Sequence, residues 1–413
     1  MGIGRAAMPS DDSDGSSAIS LANRTYLDHA ATTPLDPEVL AAMLPYLTTQ
    51  HGNPSSLYYE GREARAALDY ARERLADVLV CDPVELVFTG SGSEAANLAI
   101  RGTAWRARRD GRDHLVTSAV EHHAVLHTVQ QLERWHGFKA TYIPVDAEGH
   151  VDPEEVVASV RDDTALVSIM YANNEVGTVQ PVAEIAALLA AHPAAIHTDA
   201  VQAAGSLSLA TPDLGVDLLS LSSHKVYGPK GVGALYVRRG VRLAPQVMGG
   251  SQERGIRAGT ENVAGAVGFA EAIARADMDR EINQAKNRRL TTILSEGLGA
   301  IPGASPTGSS TVRLPNSASF VIPGIDSESL LLRLDEAGIA ASSGSACTSA
   351  SLDPSHVLLA MGIPADVARS SLRLTTGRSN TEPQMHRAVA TIVAEITFQR
   401  QQPRQIASPV PIS

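Results

Sequence analysis

Seven short apolar or β-branched runs between residues 84 and 237 restrict the folds open to this chain more than any other feature. They are VELVFT (84–89), HLVTS (114–118), ATYIPV (140–145), ALVSIMY (165–171), AAIHT (194–198), DLLSLS (217–222) and VGALYV (232–237). Turn residues and helical stretches separate them. That alternation predicts an α/β fold around a mostly parallel mixed sheet. The rhythm changes after about residue 265. A polar–apolar stretch at 263–298 reads as a helix or helix pair. TVRLPNSASFVI (311–322) and SSLRLTT (370–376) read as strands, and SESLLLRLDEAG (327–338) as a helix. The spacing predicts a large α/β domain over 25–265, whose first residues pack on the smaller one. A smaller α+β domain follows over 266–400. The last helix starts near Thr381, with Gln384 completing a capping box and Pro383 in the first turn.

The ends read as loose tails, 1–24 and 401–413. The first carries Asp11, Asp12 and Asp14 and lacks the apolar run of a signal peptide. No stretch is apolar for 18 residues, so no membrane-spanning helix is expected, and the cytoplasm is the default location. The net charge is −11, from 34 basic and 45 acidic residues, which argues against nucleic acid or an anionic membrane as the main partner. Two cysteines do not make a disulfide framework. Cys81, in LVCDPVEL, reads as a buried structural thiol at a helix end. Cys347 lies instead in SSGSACTSAS (342–351), a run of small and polar residues with nothing bulky to pack on sulfur.

Ligands of open α/β sheets bind beyond the carboxyl ends of strands. Five of the runs are followed there by GSGSEAAN, AVEHHAV, ANNEVG, DAVQ and SHKVYGPKG. Taken singly, each has a plain reading. GSGSE is a phosphate cradle in form or a simple tight turn. Lys225 is a nucleophilic amine at a desolvated strand end or a solvated loop lysine, as Lys230 reads. His122 and Asn174 suit structural roles too. Together they suggest one site. Pyridoxal phosphate needs an amine for its aldehyde, an anion beside its ring nitrogen and donors for its phosphate. Lys225, Asp199 and the GSGSE segment supply those types, with Gln202 near the ring hydroxyl and His122 over the ring face.

These residues sit in longer motifs: YLDHAATTPLDP (26–37), HGNPSS (51–56), VSIMYANNEVGTVQP (167–181), SSHKVYGPKGVGALYVRR (222–239), RGIRAGTEN (254–262) and SSGSACTSASLDPSHVL (342–358). With them, residues 25–400 resemble the cysteine desulfurases of the NifS/IscS type. These are class-V aminotransferase-group enzymes of the fold-type I pyridoxal-phosphate class. The resemblance implies that Lys225 holds the cofactor as a Schiff base, that Asp199 pairs with its ring nitrogen, and that Gln202 and Asn174 contact its oxygen. His122 would stack on the ring and move protons. Gly92, Ser93, Ser222 and His224 would bind the phosphate. Thr260, with Arg239, would reach the phosphate of the other subunit of a homodimer. Arg373 would grip the carboxylate of the substrate, L-cysteine, with Asn174 beside it.

The resemblance also answers why a thiol stands in SSGSACTSAS. Cys347 would attack the substrate sulfur, release L-alanine and carry a persulfide to a sulfur-acceptor or iron–sulfur scaffold protein. There it would serve as a transient ligand to a nascent iron–sulfur cluster. Two departures from the family stand out: Tyr58 follows NPSS where a histidine is common, and GSGSEAAN replaces the commoner SGATESDN. Selenocysteine lyase, an aminotransferase of the same fold, and a non-catalytic sulfur-relay or scaffold protein are the competing readings.

Overall fold

The computed structural model describes residues 24–344 and 353–402. Cys347 therefore lies outside the described residues, as does almost all of the two tails. The chain enters through β1 (Thr25–Tyr26). The main sheet is built from β2 (Leu86–Thr89), β3 (His114–Ser118), β4 (Lys139–Ile143), β5 (Thr164–Ser168), β6 (Ala195–Asp199), β7 (Leu218–Ser222) and β8 (Gly233–Val237). Their order across the sheet is β2-β8-β7-β6-β5-β3-β4. Neighbours from β7 to β4 pair in parallel, while β8 runs antiparallel to both β7 and β2.

Local chemistry trims the predicted runs. VELVFT does not start as a strand, because Asp82 and Glu85 form a capping box around a 3-10 turn with Pro83 in first position. Extended backbone begins only at Leu86. β4 stops at Ile143, because Pro144 has no N–H to offer a neighbour.

Strand residues alternate between two cores, as a sheet covered on both faces requires. Val116, Val167, Ile196 and Leu219 join Leu68, Leu75 and Phe269 of the helices Tyr59–Leu79 and Val263–Met278. Leu115, Leu166, Leu218 and Leu235 join Ile100, Val125 and Leu132 of the helices Gly92–Ala107 and His123–His136. The last third packs β9 (Ser305–Pro306), β10 (Ser317–Val321) and β12 (Ser371–Thr375) antiparallel against the helices Arg280–Gly299 and Glu382–Gln401. There β1 pairs with β11 (Ile339–Ala340), and Leu27 enters the same core.

The change of core falls at Asp279, inside the stretch 263–298 where the rhythm changes. Helix Val263–Met278 still belongs to the first core through Phe269, Ile273 and Ala276. Gly268 lets it lie close to the helix Pro37–Thr48: a Cβ there would come within 2.5 Å of Met43 Sδ. The predicted capping box at Thr381 and Gln384 is present. Cys81 follows the left-handed Val80 (φ 53°) that ends helix Tyr59–Leu79, as read. It is half-buried rather than buried, and burial, with Glu85 and Asp82 nearby, pushes its thiol up to about 12.

His197 of β6 is fully buried between Ser168 Oγ at 2.8 Å and Ser220 Oγ at 2.9 Å. Burial pushes its pKa down to about 3. The unfolded chain takes this proton near about 6.5; the fold refuses it until far lower pH. Stability from neutral His197 is whole above the unfolded value and drains away as pH falls towards 3. The urea midpoint is expected to drop between pH 6.5 and 4, less steeply in His197→Gln. Equal slopes in the two proteins would contradict this.

Candidate active site

Strands β2 to β7 all run one way, so their carboxyl ends share one edge. The five polar segments picked out by sequence meet there. β7 ends in a 3-10 turn, Ser223–Lys225. Lys225 Nζ donates to Ala30 O at 2.5 Å and Ala31 O at 2.8 Å, and Gln202 Nε2 donates to Ala30 O at 3.0 Å. His224 Nδ1 lies 3.1 Å from Thr32 Oγ1, and Thr33 N donates to His224 O at 2.9 Å. Residues 30–33 thus line the site. Their motif, YLDHAATTPLDP, shows no role by residue type. Backbone carbonyls leave no residue-type signature.

Asp199 ends β6 and is buried, with Oδ1 accepting from Val201 N at 3.0 Å. Burial raises its carboxyl to about 6, against the lowering pull of that bond and of Lys225. His122 caps the helix His123–His136: its Nδ1 accepts from Ala124 N at 3.1 Å. The neutral ring therefore carries its proton on Nε2. Burial first, then Lys225, His356 and His127, lower it to about 4, so the ring is neutral near pH 7. Beside it Glu121 is fully buried, accepting from Ser118 Oγ and Met170 N, both at 2.7 Å. Burial lifts its carboxyl to about 8.

Gly92 opens the sixteen-residue helix Gly92–Ala107, capped by Ser91, which accepts from Glu94 N at 3.1 Å. Glu94 in turn accepts from Gly90 N at 2.7 Å and pairs with Arg257 at 2.8 Å, fixing the turn. A Cβ on Gly92 would meet Val201 Cγ2 at 2.9 Å and Ser222 Cβ at 3.0 Å. Ser93 is exposed and shares an open groove with His122.

Arg373 of β12 is buried but engaged. Nη2 pairs with Asp28 Oδ1 at 2.7 Å, and Nη1 donates to Asn174 O at 2.8 Å and Gly344 O at 3.3 Å. Its Nε has no hydrogen-bond partner among the described residues. Asp28 carried no role in the sequence reading. Thr260 is not in this cluster: it is exposed and lines a separate cavity with Gly90 and Arg257. Arg239 stands at the opposite edge, because β8 runs antiparallel, and it pairs with Asp82 at 2.5 Å. Tyr58 is exposed ahead of helix Tyr59–Leu79.

The family model for class-V aminotransferases matches residues 25–387. A cysteine desulfurase IscS of Methanosarcina thermophila is 48% identical over 371 residues, which cover 90% of this chain and 91% of that protein. The chain belongs to the cysteine desulfurases of the class-V aminotransferase family. Its fold agrees. A solved NifS-like protein aligns with a TM-score of 0.85 at 37% identity, over 91% of this desulfurase and 100% of that chain. SspA, solved in complex with cysteine, aligns with a TM-score of 0.75 at 36% identity, over 85% and 98%. Among the described residues of the desulfurase, no helix is long and apolar enough to cross a membrane. The edge of its sheet carries an amine, a buried carboxyl and a neutral imidazole, those of Lys225, Asp199 and His122.

Proposed function

We propose that this desulfurase takes sulfur from L-cysteine with pyridoxal 5′-phosphate held at the Lys225 edge, releasing L-alanine and leaving a persulfide on Cys347. The observation that carries the reading is the meeting of Lys225, Asp199 and His122 at the ends of β7, β6 and β3. The residues present fit the cofactor. Asp199 is a buried carboxyl raised to about 6, and a cationic ring N–H beside it would relieve that burial. Gly92 packs directly on Val201 and Ser222, where a Cβ would come within 2.9–3.0 Å, and so brings the N-terminus of a long helix, where phosphate is favoured, against the end of β7. Ser222, which touches Gly92, and His224 would add donors to the phosphate there. When bound, pyridoxal phosphate supplies an electron sink that weakens the carbon–sulfur bond of the substrate.

The chain's own groups do the rest. Lys225 is the amine that holds the aldehyde. Carbonyls of Ala30 and Ala31 orient its Nζ. His122, neutral with its proton on Nε2, holds and moves a proton over the site. Arg373 and Asn174 orient the substrate carboxylate. The Cys347 thiolate attacks the substrate sulfur. A sulfur–sulfur bond forms, the carbon–sulfur bond breaks with its electron pair left on carbon, and protonation there gives alanine. The persulfide passes to a sulfur-acceptor protein, with iron–sulfur cluster assembly as the destination and Cys347 as a transient cluster ligand. A homodimer, to which Thr260 contributes across the interface, and a cytoplasmic setting complete the reading.

The test incubates the protein with pyridoxal phosphate, L-cysteine and dithiothreitol, which reduces the persulfide to sulfide. Equal amounts of alanine and sulfide from the intact chain, and neither from Cys347→Ala, are expected. Alanine formation at full rate in the variant would contradict the role of Cys347. No alanine from either protein would contradict the substrate.

A further inference from the structure

We propose that Glu175 is a positioning residue for sulfur transfer, acting as a clasp on the two stems of the segment that carries Cys347. This rests on the reading of Cys347 as the attacking thiol. Glu175 is 5% exposed, at the turn after β5. Its Oε2 accepts from Ser355 Oγ at 2.5 Å. The same oxygen would lie 3.3 Å from a Cβ on Gly344, whose φ is +89°. The Glu175 side chain therefore bonds one stem at Ser355 and packs beside the other at Gly344, on the two sides of residues 345–352. The clasp is itself braced. Asn173 Oδ1 accepts from Glu175 N at 2.8 Å and Val176 N at 3.0 Å, and its Nδ2 donates to Val120 O at 2.9 Å. On the other side Arg373 Nη1 joins Gly344 O to Asn174 O, and Ser371 Oγ donates to Ser343 O at 2.7 Å.

Chain length turns this anchoring into a constraint on chemistry. Cys347 is three residues beyond Gly344. Three residues span at most about 11 Å. Whatever path the segment takes, the Cys347 Cα stays inside a sphere of that radius centred on Gly344. Glu175 and Arg373 fix where that sphere sits, next to Asn174 and the site. Loosening the stem enlarges the volume the thiol explores and lowers its effective concentration at the substrate sulfur.

The test uses Glu175→Gln, which keeps volume but loses the charge-assisted bond, together with Ser355→Ala and the hydroxyl-retaining Ser355→Thr. In the cofactor-loaded enzyme kcat for alanine is expected to fall about tenfold in the first two, with KM for cysteine and the cofactor's visible absorbance within about twofold of the parent. Ser355→Thr keeps most of the rate. Without substrate, iodoacetamide is expected to alkylate Cys347 several-fold faster in Glu175→Gln. Cys81, with its thiol pushed up to about 12, adds little background. An unchanged kcat and alkylation rate would overturn the clasp, as would parallel loss of kcat, KM and cofactor binding. Failure of the intact enzyme to make alanine would instead overturn the desulfurase reading, and the alkylation comparison still judges the clasp.

Discussion

Lys225→Ala is expected to lower alanine formation from cysteine by at least about a hundredfold and to abolish the visible absorbance of the cofactor-loaded enzyme. Lys225 ends the turn after β7 with its Nζ against the carbonyls of Ala30 and Ala31. Alanine supplies no nitrogen there. Arginine is expected to fail as well, because a guanidinium does not lose its proton to become a nucleophile. Lys230, exposed in the same loop, provides the control: Lys230→Ala keeps rate and absorbance near the parent. Partial rescue of Lys225→Ala by an added small primary amine would show that the missing group is the amine itself. A Lys225→Ala protein that retains rate and absorbance would contradict the account.

The largest stability effect is expected at Arg72 and Glu253. Their side chains are 9% and 3% exposed and pair through two bonds, Nη1 to Oε2 at 2.9 Å and Nη2 to Oε1 at 2.7 Å. Further bonds satisfy both groups: Arg72 Nη1 donates to Leu86 O at 2.6 Å, and Phe88 N donates to Glu253 Oε2 at 3.0 Å. Glu253 and Arg254 hold left-handed backbone, with φ of 44° and 57°. The pair thus pins a strained loop to β2, two residues before the Gly90 turn. Glu253→Leu leaves a buried guanidinium unpaired and is expected to cost about 3–5 kcal/mol in urea unfolding. Arg72→Met is expected to do the same from the other side. The double variant should recover a large part, since no charge is left stranded. Single variants within about 1 kcal/mol of the parent would show that the loop does not depend on the pair.

Strand existence and direction were legible because β-branched runs between turn residues leave few other folds. The convergence of five polar strand ends followed from the parallel sheet. Strand starts were less legible: the turn at Pro83–Glu85 is a local capping contest that hydrophobic pattern does not reveal. The change of core at Asp279 could only be bracketed, because helix Val263–Met278 resembles its successor in pattern and differs in what it packs on. In the site, side chains with distinctive chemistry stood out: Lys225, Asp199 and His122. Groups acting through backbone or through partners did not. Ala30 and Ala31 serve by their carbonyls, Asp28 by holding Arg373, and Glu175 by bonding Ser355, 180 residues on in sequence.

The central claim is that sulfur leaves the substrate onto Cys347. The most direct measurement is the mass of the proteolytic peptide containing Cys347 after brief exposure of the cofactor-loaded enzyme to L-cysteine, without reductant. The account predicts a peptide heavier by one sulfur atom, formed in step with one equivalent of alanine and absent from Lys225→Ala. Alanine released with the Cys347 peptide at its original mass would contradict it.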